Sequence, residues 1–319
     1  MTFISPFTDF GFKKIFGEEP NKDILIDFLN QVLALENVQI KDLTYKKNEF
    51  MGVTDVDRRV VFDLYCENEK GEKFIVEMQK TEQVFFKDRA VFYSTFPIQE
   101  QAVKGEWNYE LKSVYCIAIL GFMLDEEAQN GVIRQVKLTD QKTKKVFYEK
   151  LTYIFIQIPA FQKSIDELEN RLDQWLYVLK HLDTFERIPE RVKDKIFQKV
   201  FEIAELSNLD KKEQRAYQES LKHHRDLYST LTTAQEKGYK QAEEEFGELL
   251  KQEKQRAEQE KQRAEQEKQR AEQEKQRAEQ LEKEKIEAIR KMIENGISIS
   301  QIIYIFQVNE DFLKKHNLL

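Results

Sequence analysis

The chain is poor in cysteine, carrying only Cys66 and Cys116, each inside an apolar run ("VVFDLYC" and "SVYCIAIL"). Two strand-borne thiols make no disulfide framework and fit reduced core residues. No apolar stretch approaches the roughly 18 residues that a membrane helix needs. The opening "MTFISPFTDFGFKK" lacks the basic lead and apolar run of a signal peptide. A cytoplasmic location and no membrane partner are therefore expected. An excess of positive charge is also missing: the net charge of -7 excludes a uniformly basic binder of nucleic acid. Any such contact has to use local basic patches or a metal. There is no glycine-rich phosphate loop and no Ser-His-Asp arrangement. His181, His223, His224 and His316 show no metal-ligand spacing with cysteine or carboxylate partners.

What is present is unevenly spread. Charged residues make up 34% of the 319 positions, and many fall in one repetitive segment near the C-terminus. Residues 1–245 are rich in Phe, Tyr, Ile, Leu and Val and can bury a core. Residues 22–35 place Ile24, Leu25, Phe28, Leu29, Val32 and Leu33 on one helix face. "VQIKDLTY" alternates as a strand. "RRVVFDLYCE" and "KFIVEMQK", joined by "NEKG" with Gly71 in the turn, read as a hairpin. Residues 87–104 read as a helix kinked at Pro97. "LKSVYCIAILGF" reads as a strand buried on both faces, and "GVIRQVKLT" and "LTYIFIQIPAF" as further strands. Past Pro159 the pattern turns helical. The expected architecture is α/β: a mixed sheet flanked by helices over 1–160, and a helical extension over 161–245. A charged repeat helix over 246–287 and a small helical hairpin over 288–319 would complete it.

The repeat unit QEKQRAE occurs four times without variation from Gln252 to Glu279. A coiled-coil seam wants two apolar positions per heptad; each heptad here offers only Ala257, Ala264, Ala271 or Ala278. Lys254 with Glu258, Arg256 with Glu260 and Glu260 with Arg263 are helix neighbours, each pair contributing about 0.2–0.5 kcal/mol. The segment reads as a solvated single helix, a spacer of roughly 50 Å at about 1.5 Å per residue. An alanine-seamed coiled coil supporting a homo-oligomer through the helical C-terminal region is the competing reading. Beyond it, Gly296 reads as a helix C-cap and Ser298 or Ser300 as the next start. That helix–turn–helix pattern fits either DNA reading or a plain helical hairpin.

Residues 74–80, "FIVEMQK", carry Glu77 and Gln79 among apolar neighbours. A turn centred on Lys70 sets Asp63 opposite Glu77, each seven residues away. Cross-strand partners share a face, with Cβ atoms about 4.5–5.5 Å apart. Gln79 lies on that face too, and a one-residue slip would undo the alignment. Two facing carboxylates repel. A shared proton, a basic side chain or a cation would each relieve them. Hard oxygen donors with positions left for water and phosphate describe a Mg²⁺ site. A solvent-facing edge strand is the plainer reading, which the apolar neighbours oppose.

Asp63, a turn, and Glu77-x-Gln79 after an apolar run resemble the core of the PD-(D/E)XK nucleases. With "SPFTDFGFKKIFG" and "RAVFYSTFPIQEQAVKGEWNYELKSVYCIAIL", residues 3–160 resemble the recombination-promoting nuclease (Rpn) family, also described as PD-(D/E)XK nuclease family transposases. The resemblance implies a DNA endonuclease dependent on Mg²⁺ or Mn²⁺, with Asp63 and Glu77 as metal-binding carboxylates and Gln79 as a catalytic residue. Gln79 stands where most of the superfamily has lysine, and an amide offers no positive charge; Glu-x-Gln is nevertheless the familiar Rpn form. Lys80 would point to the opposite face. Arg89 and Tyr93, four apart, share a helix face: Arg89 is a candidate phosphate contact, and Tyr93 packs or serves the site. Gln101 and Asp9 are candidate supporting residues, and Lys13 and Lys14 candidate DNA contacts. Asp55 and Asp57 are a second carboxylate source or a solvated loop. The lysines at 137, 142, 144, 145 and 150 form a hairpin turn or a contact to the DNA backbone. Two functions are in competition: a metal-dependent endonuclease, or an inactive nuclease fold serving as an oligomeric interaction or DNA-binding module.

Overall fold

The computed structural model describes residues 2–50, 60–125 and 131–319. Asp55 and Asp57 lie outside them. The chain divides into two units, Met1–Leu231 and Thr232–Leu319.

In the first unit the chain runs through helices α1 (Asp9–Phe16) and α2 (Lys22–Val32), then strands β1 (Leu43–Tyr45), β2 (Glu49–Phe50), β3 (Val60–Val61), β4 (Leu64–Asn68) and β5 (Lys73–Gln79). Helix α3 (Phe86–Gln99) precedes β6 (Val114–Leu120), β7 (Ile133–Thr139) and β8 (Val146–Gln157), and α4 (Arg171–His181) and α5 (Lys195–Ala204) follow. One six-stranded sheet has the order β1-β4-β5-β6-β8-β7. Its centre, β5-β6-β8, is parallel, and β1-β4, β4-β5 and β8-β7 are antiparallel. Parallel neighbours need a crossover, and α3 supplies it between β5 and β6. Every residue of β6 is buried, as its unbroken apolar run predicts.

Alternation along the strands divides the core in two. On one face Phe74, Val76, Ile117, Ile119, Ile154 and Ile156 pack with side chains of α1, α2, α4 and α5. On the other, Ile75, Cys116, Ala118 and Phe155 meet Phe86 of α3. The two free cysteines sit one on each side, both buried. Residues 161–231, read above as an extension, share the first of these cores. Trp175 of α4, fully buried, has ring contacts with Phe16, Phe28 and Phe197 at 5.8, 5.5 and 4.8 Å. Its Nε1 donates to Asp27 at 2.6 Å.

Two strand expectations change. "VQIKDLTY" yields only Leu43–Tyr45, because Asn30 accepts from the Ile40 amide at 2.8 Å and donates to its carbonyl at 3.0 Å. A side chain thereby takes the groups that a ladder would use. "RRVVFDLYCE" is broken at Phe62–Asp63: Val60–Val61 pairs with β2 in a separate two-stranded sheet, and β4 begins at Leu64. Asn48 holds the break, its carbonyl accepting from Phe62 N at 2.9 Å and its Nδ2 donating to Phe62 O at 3.0 Å.

Helix α6 (Lys211–Glu294) carries the chain into the second unit. Residues 248–284 of it are exposed without interruption. Gly296, at φ +79°, follows its end. Ser298 caps α7 (Ile299–Phe306) in a capping box with Gln301, and Asn309 caps α8 (Glu310–Lys315). Ile289, Ile302, Leu313 and Leu318 form a small core there. Among the described residues no helix is long and apolar enough to cross a membrane.

Because Trp175 joins α4 to the sheet's own core, Trp175→Ala should destabilise the first unit as a whole. A loss of about 3–5 kcal/mol is expected, read as a lower urea midpoint in the near-ultraviolet dichroism.

Candidate active site

Leu64 lies opposite Val76, Tyr65 opposite Ile75, Cys66 opposite Phe74 and Glu67 opposite Lys73. This is the register of a turn centred on Lys70. Gly71 permits the turn with φ +78°, and Asn68 Oδ1 accepts from the amides of Lys70 and Glu72, both at 3.0 Å. One step further Asp63 meets Glu77, but not as a ladder pair. The Asp63 amide donates to Glu77 Oε1 at 3.0 Å, and the Met78 amide donates to Asp63 Oδ2 at 2.9 Å. Each carboxylate thus takes an N–H from the other strand. The break between β3 and β4 is what turns the Asp63 amide towards a side chain. Beside this point Gly121 N donates to Gln79 O at 2.9 Å. A Cβ on Gly121 would stand 2.6 Å from Lys80 O, so only glycine lets the end of β6 close on the end of β5.

Both carboxylates are half-buried. Burial, then the negative charge of Asp63, pushes the Glu77 carboxyl up to about 8. Burial raises Asp63 as well, against the Met78 amide bond. Lys13 and Arg89 are cations whose fields favour ionisation of both. Lys13 pairs with Asp9 at 2.7 Å. The Arg89 guanidinium donates to Gln79 Oε1 and, at 2.8 Å, to Gln83 Oε1. It lies 5.7 Å from the Phe86 ring centre and 5.6 Å from that of Tyr93. Gln79 Nε2 donates to Thr81 O at 2.9 Å, so both ends of that amide are held. Burial and the Glu77 charge raise the Tyr93 phenol. A cleft of about 460 Å³ opens on the Asp63 side, lined by Asp9, Lys13, Lys46, Asn48 and Ser220 among others.

Residues 6–234 match the family model described as PD-(D/E)XK nuclease family transposase. The chain belongs to that family. Searches of curated proteins and of solved structures returned no match. The matched span takes in the whole sheet and both walls of the cleft. Members of this nuclease class generally use divalent metals. Among the described residues no cluster of three or more His, Cys, Asp or Glu side chains offers a metal cage. The site instead supplies two hard oxygen donors, since one oxygen of each carboxylate is taken by an amide and the other is not. A cation there would favour the ionised form of both carboxyls, against the burial that now raises them. An open two-carboxylate site completed by water and phosphate fits the group the family uses.

In this nuclease-family chain Asp63, Glu77, Gln79, Arg89, Tyr93, Lys13 and Asp9 come together as a neighbourhood. Two of the named residues stand apart. Lys14 lines the cleft, but its ammonium is bonded to Glu18 at 3.0 Å and Glu213 at 2.6 Å. Gln101 lies beyond the far end of α3, accepting from Lys112 N at 2.7 Å and donating to Pro97 O at 3.0 Å. It ties down the segment entering β6, at the end of the sheet opposite Gln79. Lys80 sits beside Asp183 and His224, where burial lowers its pKa. Lys137 pairs with Glu36 and Glu149 at 2.7 and 2.8 Å, and the lysines at 142, 144 and 145 lie at the exposed β7–β8 turn. Lys46 and Asn48 were not anticipated. The polar run "KKN" directly after β1 is the signal that would have found them.

A carboxyl whose pKa is raised on folding holds a proton that the unfolded chain releases. Its stabilisation is complete below the ordinary carboxylate range and is lost as pH rises through about 8. Without divalent cations, Tm should fall between about pH 5 and 8, and Glu77→Gln should flatten that fall. Thermal melts in chelator across this range check it.

Proposed function

We propose that the chain is a metal-dependent DNA endonuclease that hydrolyses phosphodiester bonds. The observation that carries this reading is the reciprocal clasp of Asp63 and Glu77 beside the Arg89–Gln79 contact, at the edge of an open cleft inside the family match. Asp63 and Glu77 would hold Mg²⁺ or Mn²⁺ through their unengaged oxygens. When bound, such a metal acidifies water and neutralises charge on the phosphodiester.

The remaining work falls to side chains of this chain. Arg89 is a fixed cation beside both carboxylates, planar and suited to a phosphate oxygen. Gln79 holds it there through Oε1. Its carbonyl keeps a second lone pair that can accept from water. Lys13, on the cleft side, can exchange Asp9 for a DNA phosphate, a partner that brings its own counterions to release. Tyr93 and Phe86 wall Arg89 and limit the water around it. The positive charge absent from residue 79 is thus supplied by Arg89, so glutamine at that position is compatible with activity.

Purified protein with supercoiled plasmid and Mg²⁺ should produce nicked or linear DNA. Asp63→Ala and Glu77→Ala should each slow cleavage by at least about a hundredfold, several kcal/mol of lost charge stabilisation. Gln79→Ala and Arg89→Lys should each lose about tenfold, because Lys cannot reproduce the fork that Arg offers. Equal cleavage by the parent and Asp63→Ala would remove the pair from the mechanism.

A further inference from the structure

Ahead of α3, Val84 and Phe85 are 91% and 72% exposed. A scattered exposed apolar residue needs no explanation, but the position of Phe85 does. The Arg89 amide bonds Phe85 O at 3.0 Å, which places the two residues one helical turn apart on the same side. Arg89 in turn lies over Tyr93, a further turn along, and Tyr93 borders Glu77. Phe85, Arg89 and Tyr93 therefore form an aromatic–basic–aromatic line that runs from solvent to the carboxylate pair. Arg89 is also bonded to Gln83, which fixes the base of the tip that carries Phe85.

An apolar protein partner would want a continuous patch. Here the tip is interrupted by Lys87, 62% exposed and paired with Asp125, and by exposed Asp88, while Phe86 turns inward to the core. Aromatic faces alternating with cations are the chemistry that takes up successive bases and phosphates of a nucleic-acid strand. One helical turn, about 5.4 Å, is comparable to the offset between a phosphate and a neighbouring base.

We infer that Phe85 is a base-stacking residue: it covers the face of a nucleobase in the strand whose phosphate lies on Arg89. This rests on the nuclease reading and adds to it a requirement for a base unstacked on one side near the cut. Val84, next to it, would lie against the sugar.

The test measures affinity, not cleavage, using the full chain in a Glu77→Gln background. End-labelled oligonucleotides, single-stranded and duplex, carry an abasic site moved one position at a time, and anisotropy gives each Kd. With Phe85 present, one position should be sensitive, binding about tenfold more weakly when its base is absent. With Phe85→Ala added, overall binding should weaken by a similar factor and that position should become insensitive, while Phe85→Trp should keep the sensitivity. An unchanged abasic profile in Phe85→Ala, or no sensitive position in its parent, overturns the stacking role while leaving DNA binding intact. A change in sedimentation of Phe85→Ala without a change in DNA affinity makes the tip a protein contact and likewise overturns it. Failure of every oligonucleotide to bind refutes the nuclease reading itself. Because Phe85 is largely exposed, the variant should melt with its parent, which a thermal scan verifies.

Discussion

Two carboxylates held side by side between apolar layers repel each other, and the fold resolves this with backbone amides. The Asp63 N–H and the Met78 N–H each reach across to the opposite acid. Amide bonds favour the ionised form, yet burial outweighs them here and both carboxyls stay raised. The amides therefore fix the pair in place but leave Glu77 holding a proton near neutral pH, which a bound cation would displace. Everything that fixes those two amides is then part of the site: the Gly71 turn, the Asn68 bonds, the register of β4 on β5, and the Asn48 contact that ends β3.

The hairpin was legible because period-two alternation and a glycine turn are local signals. Lys70 at the centre was enough to put Asp63 against Glu77. The bonding of the pair was not legible, since it depends on the interruption at Phe62, held by Asn48 far back along the chain. Arg89 and Tyr93 could be put on one face from their spacing, but the bond from Arg89 to Gln79 required the α3 crossover to be in place. Lys14 and Gln101 show the opposite case. Their residue types suggested function, and their partners, Glu213 and Lys112, lie on elements whose approach no pattern announces.

The helices after the sheet illustrate a further limit. Amphipathic spacing shows that α4 and α5 bury a face, not which surface they bury it against. Trp175 among Phe16, Phe28 and Phe197 answers that. It also supports the site, because α1, pressed between the site and this cluster, carries Asp9 and Lys13 on its outer side and Phe12, Ile15 and Phe16 within.

A different constraint governs the repeat. If Ala257 and its equivalents formed one seam position of a parallel pair, the other would be Glu260 and its equivalents, or Lys261 and its equivalents. Either choice sets like charges against their own copies at each heptad, where a zipper needs apolar side chains. Within one helix the same residues are favourable, with opposite charges three and four apart. The sequence thus stabilises a single helix and disfavours a parallel zipper through the same residues. It can lengthen by whole heptads while adding only one alanine methyl of apolar surface each time.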